Sequence, residues 1–108
     1  MSPADSLQEA ASLAGLDRLV HEPSRLALLA LLAVVDSADY TFLMNQLGLT
    51  WGNFSAHMTK LEQAGYLEVE KTFKGKRPNT MLRLTRQGRT AFQAYRLKMK
   101  QVLDNLPE

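Results

Sequence analysis

"LTWGNFSAHMTKLEQAGYLEVEK", residues Leu49 to Lys71, changes its periodicity partway along, and that change decides the fold. With Phe54 taken as the inward direction at about 100° per residue, Met58, Leu61 and Gly65 fall within about 40° of it, and Trp51 and His57 flank the stripe at about 60°. Thr50 stands where an N-cap belongs, and Ala64-Gly65 is where the helix should stop. From Tyr66 onward the pattern alternates. In "YLEVEKTF", Leu67, Val69 and Lys71 share one face of a half-buried strand, and Glu68 and Glu70 share the other. The outward side of the helix is small, polar and nearly free of acid: Gly52, Asn53, Ser55, Ala56, Thr59, Lys60 and Gln63.

Immediately before this stretch, Thr41 can cap a short helix, "FLMNQL", that Gly48 closes in the left-handed conformation. Two short helices joined at Gly48-Leu49 make a helix-turn-helix. After it, "KGKRPN" is a turn signal and "TMLRL" a returning strand, so a two-stranded ribbon with a basic tip follows. A ribbon in that place is the wing of a winged helix. Thr85 opens a last helix that continues to about Leu106. Toward the N-terminus, Leu7, Ala10, Ala11 and Ala14 recur at helical spacing from Asp5 to about Ala14, where Gly15 breaks the pattern. "LDRLVHE" is a connector, and Pro23 suits the first position of a helix running to about Val35. That helix is apolar on nearly every side, which predicts a central, buried one; "DSAD" reads as a loop. The expected fold class is mainly α with a two-stranded β wing: one winged helix-turn-helix domain, residues 1–108. Its flanking helices, about residues 1–15 and 85–106, are expected to dimerise.

Charge is unevenly placed. Between Lys71 and Lys100 stand Lys71, Lys74, Lys76, Arg77, Arg83, Arg86, Arg89, Arg96, Lys98 and Lys100, with no acid among them. The rest of the chain holds Arg18, Arg25, Lys60 and all eleven acids. Such asymmetry points to a polyanion near the C-terminal third, against the plainer alternative of a solvated basic face. With no cysteine, disulfides and thiolate metal sites are excluded, and His21 and His57 alone do not make a metal cage. The opening "MSPADSLQEA" does not read as a signal peptide, and "LALLALLAVV" is about half the length of a membrane span. A cytoplasmic protein without a membrane partner is expected. No nucleophile–base pair, phosphate loop or spaced carboxylate pair suggests an enzyme or a cofactor.

A helix enters the major groove of a DNA duplex only where its outward side chains are short or aimed at base edges. Gly52 and Ala56 let the backbone approach, Asn53, Ser55 and Thr59 offer compact donors and acceptors, and Lys60 reaches for a phosphate. Thr50 and the helix N-terminus offer N–H groups to a phosphate oxygen. Trp51 has two readings, packing beside the core or touching a sugar or thymine methyl, and His57 has two, packing or a phosphate contact. In the wing, Lys74, Lys76 and Arg77 surround Gly75, and Pro78 stiffens a tip suited to a narrow minor groove. Lysines that protect an edge strand would look alike. The last helix carries Phe92, Tyr95, Met99, Val102 and Leu106 on a coiled-coil spacing. At about 30 Å it is longer than a domain this small can cover, so part of it, with the Leu7-Ala10-Ala11-Ala14 stripe, is expected to form a homodimer interface.

These residues resemble the winged-helix transcriptional regulators of the ArsR and MarR type. Leu49, Thr50, Ser55, His57, Met58, Leu61, Ala64 and Gly65 fall on the ArsR-like pattern of a Leu-Ser start, then Ser-x-His-Leu-x-x-Leu-x-x-Ala-Gly. "LDRLVHEPSRLALLALL" is similar to the His-Pro-x-Arg-Leu-x-x-Leu lead-in to that family's central helix, with Glu22 inserted before Pro23. "KGKRPNTMLRLTRQGRTAFQAY" resembles the MarR-like Arg-Pro-x-Thr wing followed by Leu-Thr-x-x-Gly-x-x-Ala-Phe. The resemblance implies a dimer joined through terminal helices, operator binding, and repression released by a small-molecule effector. Without cysteine or a His-Asp cluster, metal sensing is not implied. The competing function is a winged-helix protein-interaction module that does not bind DNA, with Trp51 and Phe73 as its docking patch.

Overall fold

A computed structural model of the chain describes residues 2–107; Met1 and Glu108, at the two ends of the expected domain, lie outside it. Five helices and three strands follow in the order α1 (Pro3–Ser12), α2 (Pro23–Val34), β1 (Ala38–Asp39), α3 (Tyr40–Leu47), α4 (Trp51–Gln63), β2 (Leu67–Lys74), β3 (Arg77–Leu84) and α5 (Arg86–Asn105). A single 3-10 turn, Leu13–Gly15, follows α1. The fold is a winged helix-turn-helix, mainly α with a β wing.

Each helix starts where a side chain can satisfy its first N–H groups. Ser2 Oγ accepts from the Asp5 N–H at 3.3 Å and Pro3 follows it, so α1 begins before Asp5 and ends at Ser12 rather than Ala14. Glu22 caps α2 ahead of Pro23, its carboxylate accepting from the N–H groups of Ser24 at 3.1 Å and Arg25 at 2.8 Å. The residue inserted into the family pattern therefore serves as the cap. Thr50 Oγ1 accepts from the Asn53 N–H at 3.2 Å and opens α4. Thr85 Oγ1 accepts from the Gly88 N–H at 2.9 Å and donates to the Gly65 carbonyl at 2.6 Å, joining the start of α5 to the end of α4.

One cap differs from expectation. Asp39, not Thr41, caps α3, accepting from the Phe42 N–H at 2.8 Å. The cause is a third strand where a loop was expected: Ala38 pairs with Leu82 and Asp39 with Met81, so the chain runs from β1 directly into the helix at Tyr40. The sheet is antiparallel in the order β1-β3-β2, and its two long strands pair from Leu67↔Leu84 to Lys74↔Arg77. Gly48 has φ 64°, closing α3 in the left-handed region as its position in the sequence requires.

Val20, Leu28, Leu29, Leu32, Leu43, Phe54, Leu61 and Leu82 are wholly buried and form the centre of the core. α2 supplies three of these, but it is less enclosed than its apolar sequence suggests, since Ala30 and Val34 are exposed. Gly88 is buried for a reason of space: a Cβ there would lie 2.2 Å from the Tyr66 carbonyl oxygen, so the first turn of α5 rests directly on backbone.

The molecule is elongated, 63 × 26 × 21 Å. Its radius of gyration of 16.7 Å exceeds the roughly 13 Å of a compact domain of this length. The last helix does cover its own chain to a large extent. Phe92 and Tyr95 belong to the main core, and Val102 is fully buried outside the main cluster, in the half of α5 that runs beside α1. Those three side chains of the expected dimer seam are therefore occupied within the chain, because α1 and α2 lie along that face. Met99 and Leu106 are half-buried. Ala10, Ala11 and Ala14 are exposed, as are Leu7 at 72%, Leu97 at 59% and Leu103 at 55%.

Candidate nucleic-acid interface

The turn between α3 and α4 is held by aromatic packing. Tyr40, at the start of α3, is buried with its ring edge-on to Phe54 at 4.6 Å and tilted against Trp51 at 4.6 Å. Its hydroxyl donates to the Trp51 carbonyl at 3.5 Å. α4 thus leaves the turn in one direction, with Phe54 and Leu61 in the core. Trp51 combines packing with exposure: its ring meets Tyr40, yet 65% of the residue remains accessible.

Thr50, Gly52, Asn53, Ala56, Lys60 and Gln63 are exposed, whereas Ser55 and Thr59 are half-buried and sit toward the edges of the face. A Cβ added at Gly52 would meet nothing within 4 Å, so no protein atom requires glycine there. The open face therefore comprises Gly52, Asn53, Ala56 and Lys60, with free helical N–H groups at its Thr50 end.

His57 lies behind that face, half-buried. Its Nδ1 is 3.1 Å from Arg25 Nη1 and 3.5 Å from Glu22 Oε2. A guanidinium only donates, so Nδ1 is the accepting atom in the Arg25 contact. Arg25 is itself buried; its Nε donates to the Leu19 carbonyl at 2.6 Å and its Nη2 to the Arg18 carbonyl at 3.5 Å. Burial opposes the Glu22 charge. The Arg25 and Ser24 N–H groups, with His57 and Arg25 nearby, outweigh it and hold the carboxyl below its ordinary range. His21 Nδ1, on the same connector, lies 2.7 Å from the Tyr95 hydroxyl of α5. Connector, recognition-type helix and α5 are thereby tied together. The clue in the sequence was Glu22 standing immediately before a helix-opening proline.

The wing projects beyond the core. Gly75 has φ 67° and no other residue of the turn has positive φ, which fits a two-residue type II′ hairpin at Gly75-Lys76. Lys74, Lys76, Arg77 and Pro78 are all exposed, and among the described residues none of these cations, nor Lys60, has an acidic partner. Not every base in the C-terminal third is so placed. Arg83 pairs with Glu68 at 3.0 Å and Lys100 with Asp104 at 2.6 Å, and the first of these confines the unpaired positive charge of the ribbon to its outer half.

A family model described as a winged helix DNA-binding domain matches residues 24–103, from the start of α2 into the last turn of α5. The uncharacterized protein MJ0432 of Methanocaldococcus jannaschii is 34% identical over 82 residues, covering 76% of this chain and 89% of the relative. Among solved structures, a transcriptional regulator homologue from Pyrococcus horikoshii OT3 is similar with a TM-score of 0.79 and 25% identity, over 93% of this chain and 95% of that one. The transcriptional repressor CouR, solved bound to a 23-mer DNA duplex, shares the fold with a TM-score of 0.69 and 21% identity, over 92% of this chain and 74% of its own. MarR-family regulators are among the structural neighbours. This chain belongs to the winged helix DNA-binding domain family.

Proposed function

We propose that the protein is a sequence-specific regulator of transcription that binds double-stranded DNA as a homodimer and acts as a repressor in the cytoplasm. The observation that carries this reading is the pairing of an uncovered helix face with an unpaired cationic tip. Gly52, Asn53 and Ala56 are slim enough for the major groove, Thr50 and Lys60 flank them for phosphates, and Lys74, Lys76 and Arg77 reach the neighbouring groove. CouR, a repressor solved on a duplex, supports the same use of the fold. The likeness to transcriptional regulators rather than catalysts supports a role without enzymatic turnover.

Dimerisation rests on what the chain leaves uncovered. Leu7, Leu97 and Leu103, together with the exposed Ala10, Ala11 and Ala14, give α1 and α5 apolar surface with no cover in a single chain. A twofold pair would set two α4 helices against successive major grooves. A small-molecule effector would lie in the groove along α5, about 660 Å³, lined by Leu26, Phe92, Tyr95 and Met99 with Arg96 and Lys100 at its edge. No helix among the described residues is long and apolar enough to cross a membrane.

The test is a gel-shift selection from genomic fragments across a salt series. Binding should weaken with log salt at a slope of about −0.9 per phosphate contacted. Retention of no fragment even at low ionic strength, alongside capture of a protein through exposed Trp51 and Phe73, would instead support an interaction module.

A further inference from the structure

Among the described residues of the wing, Phe73 is the large apolar one left exposed, 72% accessible, one position before the cationic tip. Alternation along the ribbon places Leu67, Val69, Lys71 and Phe73 on one face, opposite Leu84, Leu82, Thr80 and Pro78. The first two rungs are core. The Lys71–Thr80 rung interrupts them, and the Phe73–Pro78 rung begins a second apolar spot that touches no part of the core cluster. The opposite face carries Glu68–Arg83, Glu70–Met81, Thr72–Asn79 and Lys74–Arg77, so both wing acids lie at its inner end, on the side away from Phe73. An aromatic ring backed by a proline therefore stands on a finger whose nearest charges are Lys71, Lys74, Lys76 and Arg77.

Exposed to water, this rung adds nothing to the core, and its flanking cations would be poor neighbours for an ordinary apolar partner. A duplex supplies both requirements, phosphates for the cations and stacked bases for the ring. Apolar wedges of this kind enter minor grooves, unstack one base step and bend the duplex toward the major groove. We propose that Phe73, supported by Pro78, is such a wedge, and that it makes the wing a reader of DNA deformability. The ring enters where a step opens most easily, so pyrimidine–purine steps beneath the wing are preferred although no polar group reads them. The proposal rests on the DNA-binding reading and assigns to the wing a role beyond phosphate anchoring.

The experiment uses the full-length chain and a duplex taken from the gel-shift selection. 2-Aminopurine is placed at successive steps under the wing, and a fluorophore pair at the duplex ends reports bending. Wild type should brighten the probe at one step and shorten the end-to-end distance. Phe73→Ala should lose both signals and the preference for a TA over an AA step, while keeping the wild-type salt slope and thermal midpoint. Phe73→Leu should keep part of each signal. Arg77→Ala should lower the salt slope yet retain the probe response. Tight binding by wild type with no brightening and no bend overturns the wedge but leaves the DNA-binding reading intact. Failure to bind any duplex overturns that reading as well. Phe73-dependent binding to phosphatidylglycerol vesicles, with duplex binding indifferent to Phe73, also overturns the wedge and assigns the finger to a lipid surface.

Discussion

Arg25 Nη1 lies 3.1 Å from His57 Nδ1, so the first turn of α2 grips the middle of α4 on the flank of its buried stripe. The same guanidinium reaches back to the Leu19 carbonyl at 2.6 Å. The rigid planar fork holds an imidazole and a carbonyl on another segment in fixed directions at once. Arg25→Met should therefore cost about 1.5–3 kcal/mol in urea unfolding, the range for hydrogen bonds involving a charged group. Arg25→Lys should recover little of it. Full recovery by lysine would show that charge alone matters at this site.

Glu22 adds a pH dependence to the same cluster. Its carboxyl is held below the ordinary carboxylate range, burial being outweighed by the Arg25 and Ser24 N–H groups with His57 and Arg25 nearby. A folded-state pKa below the unfolded one means that the carboxylate's contribution is complete above the unfolded value. It disappears as pH falls through the folded one. Glu22→Gln should thus lower stability near neutrality, with the two proteins converging as pH drops below about 4.3. Curves that stay parallel through that range would remove the ionised cap from the account.

Gly88 tests the contact between α5 and the turn after α4. Its hypothetical Cβ stands 2.2 Å from the Tyr66 oxygen, and backbone cannot rotate aside as a side chain could. Gly88→Ala should therefore destabilise by about 1–3 kcal/mol, the ordinary cost of overpacking, despite the better helix propensity of alanine. A gain in thermal midpoint would mean that α5 lifts freely from Tyr66.

In the proposed homodimer, the exposed part of the α1–α5 surface is the interface. Leu103→Glu combined with Leu7→Glu should shift sedimentation toward the monomer and reduce operator affinity, without altering the far-ultraviolet spectrum of the dilute chain. Phe92 and Tyr95, being core residues, cannot be used for this purpose, because charge there would unfold the chain. A sedimentation profile unchanged by the double substitution would place the interface elsewhere.

What the sequence made legible follows the range of the forces involved. The α4 stripe, its Thr50 cap and the left-handed Gly48 are local, settled within a few residues, and could be read directly. β1 could not, since a two-residue strand exists only because Leu82 and Met81 arrive to pair with it from more than forty positions away. The heptad on α5 announced an apolar face but not its occupant: Phe92 and Tyr95 are in the main core, and Val102 is buried where α5 runs beside α1, while Leu103 stays outside. Arg83 looked like part of a continuous basic run until strand register set it opposite Glu68. The small outward residues of α4 were readable as a set, but the half-burial of Ser55 and Thr59 is set by tertiary packing that the helix period alone does not name.

Asn53 and Arg77 should separate readout from anchoring. Asn53 is exposed one turn into α4, close to the end that a major groove would receive, and an amide can bond two edge atoms of adenine together. Arg77 is exposed at the hairpin tip, where a phosphate or a narrow minor groove gives it no unique base partner. Asn53→Ala should change the order of preferred sequences, costing about 1–3 kcal/mol on the best site and little on the others. Arg77→Ala should weaken all sequences together and reduce the magnitude of the salt slope by about one. Competition binding of both variants against a small set of single-base site variants measures each effect. Equal losses from Asn53→Ala across that set would mean that α4 only supports the complex, leaving sequence choice to the shape of the duplex.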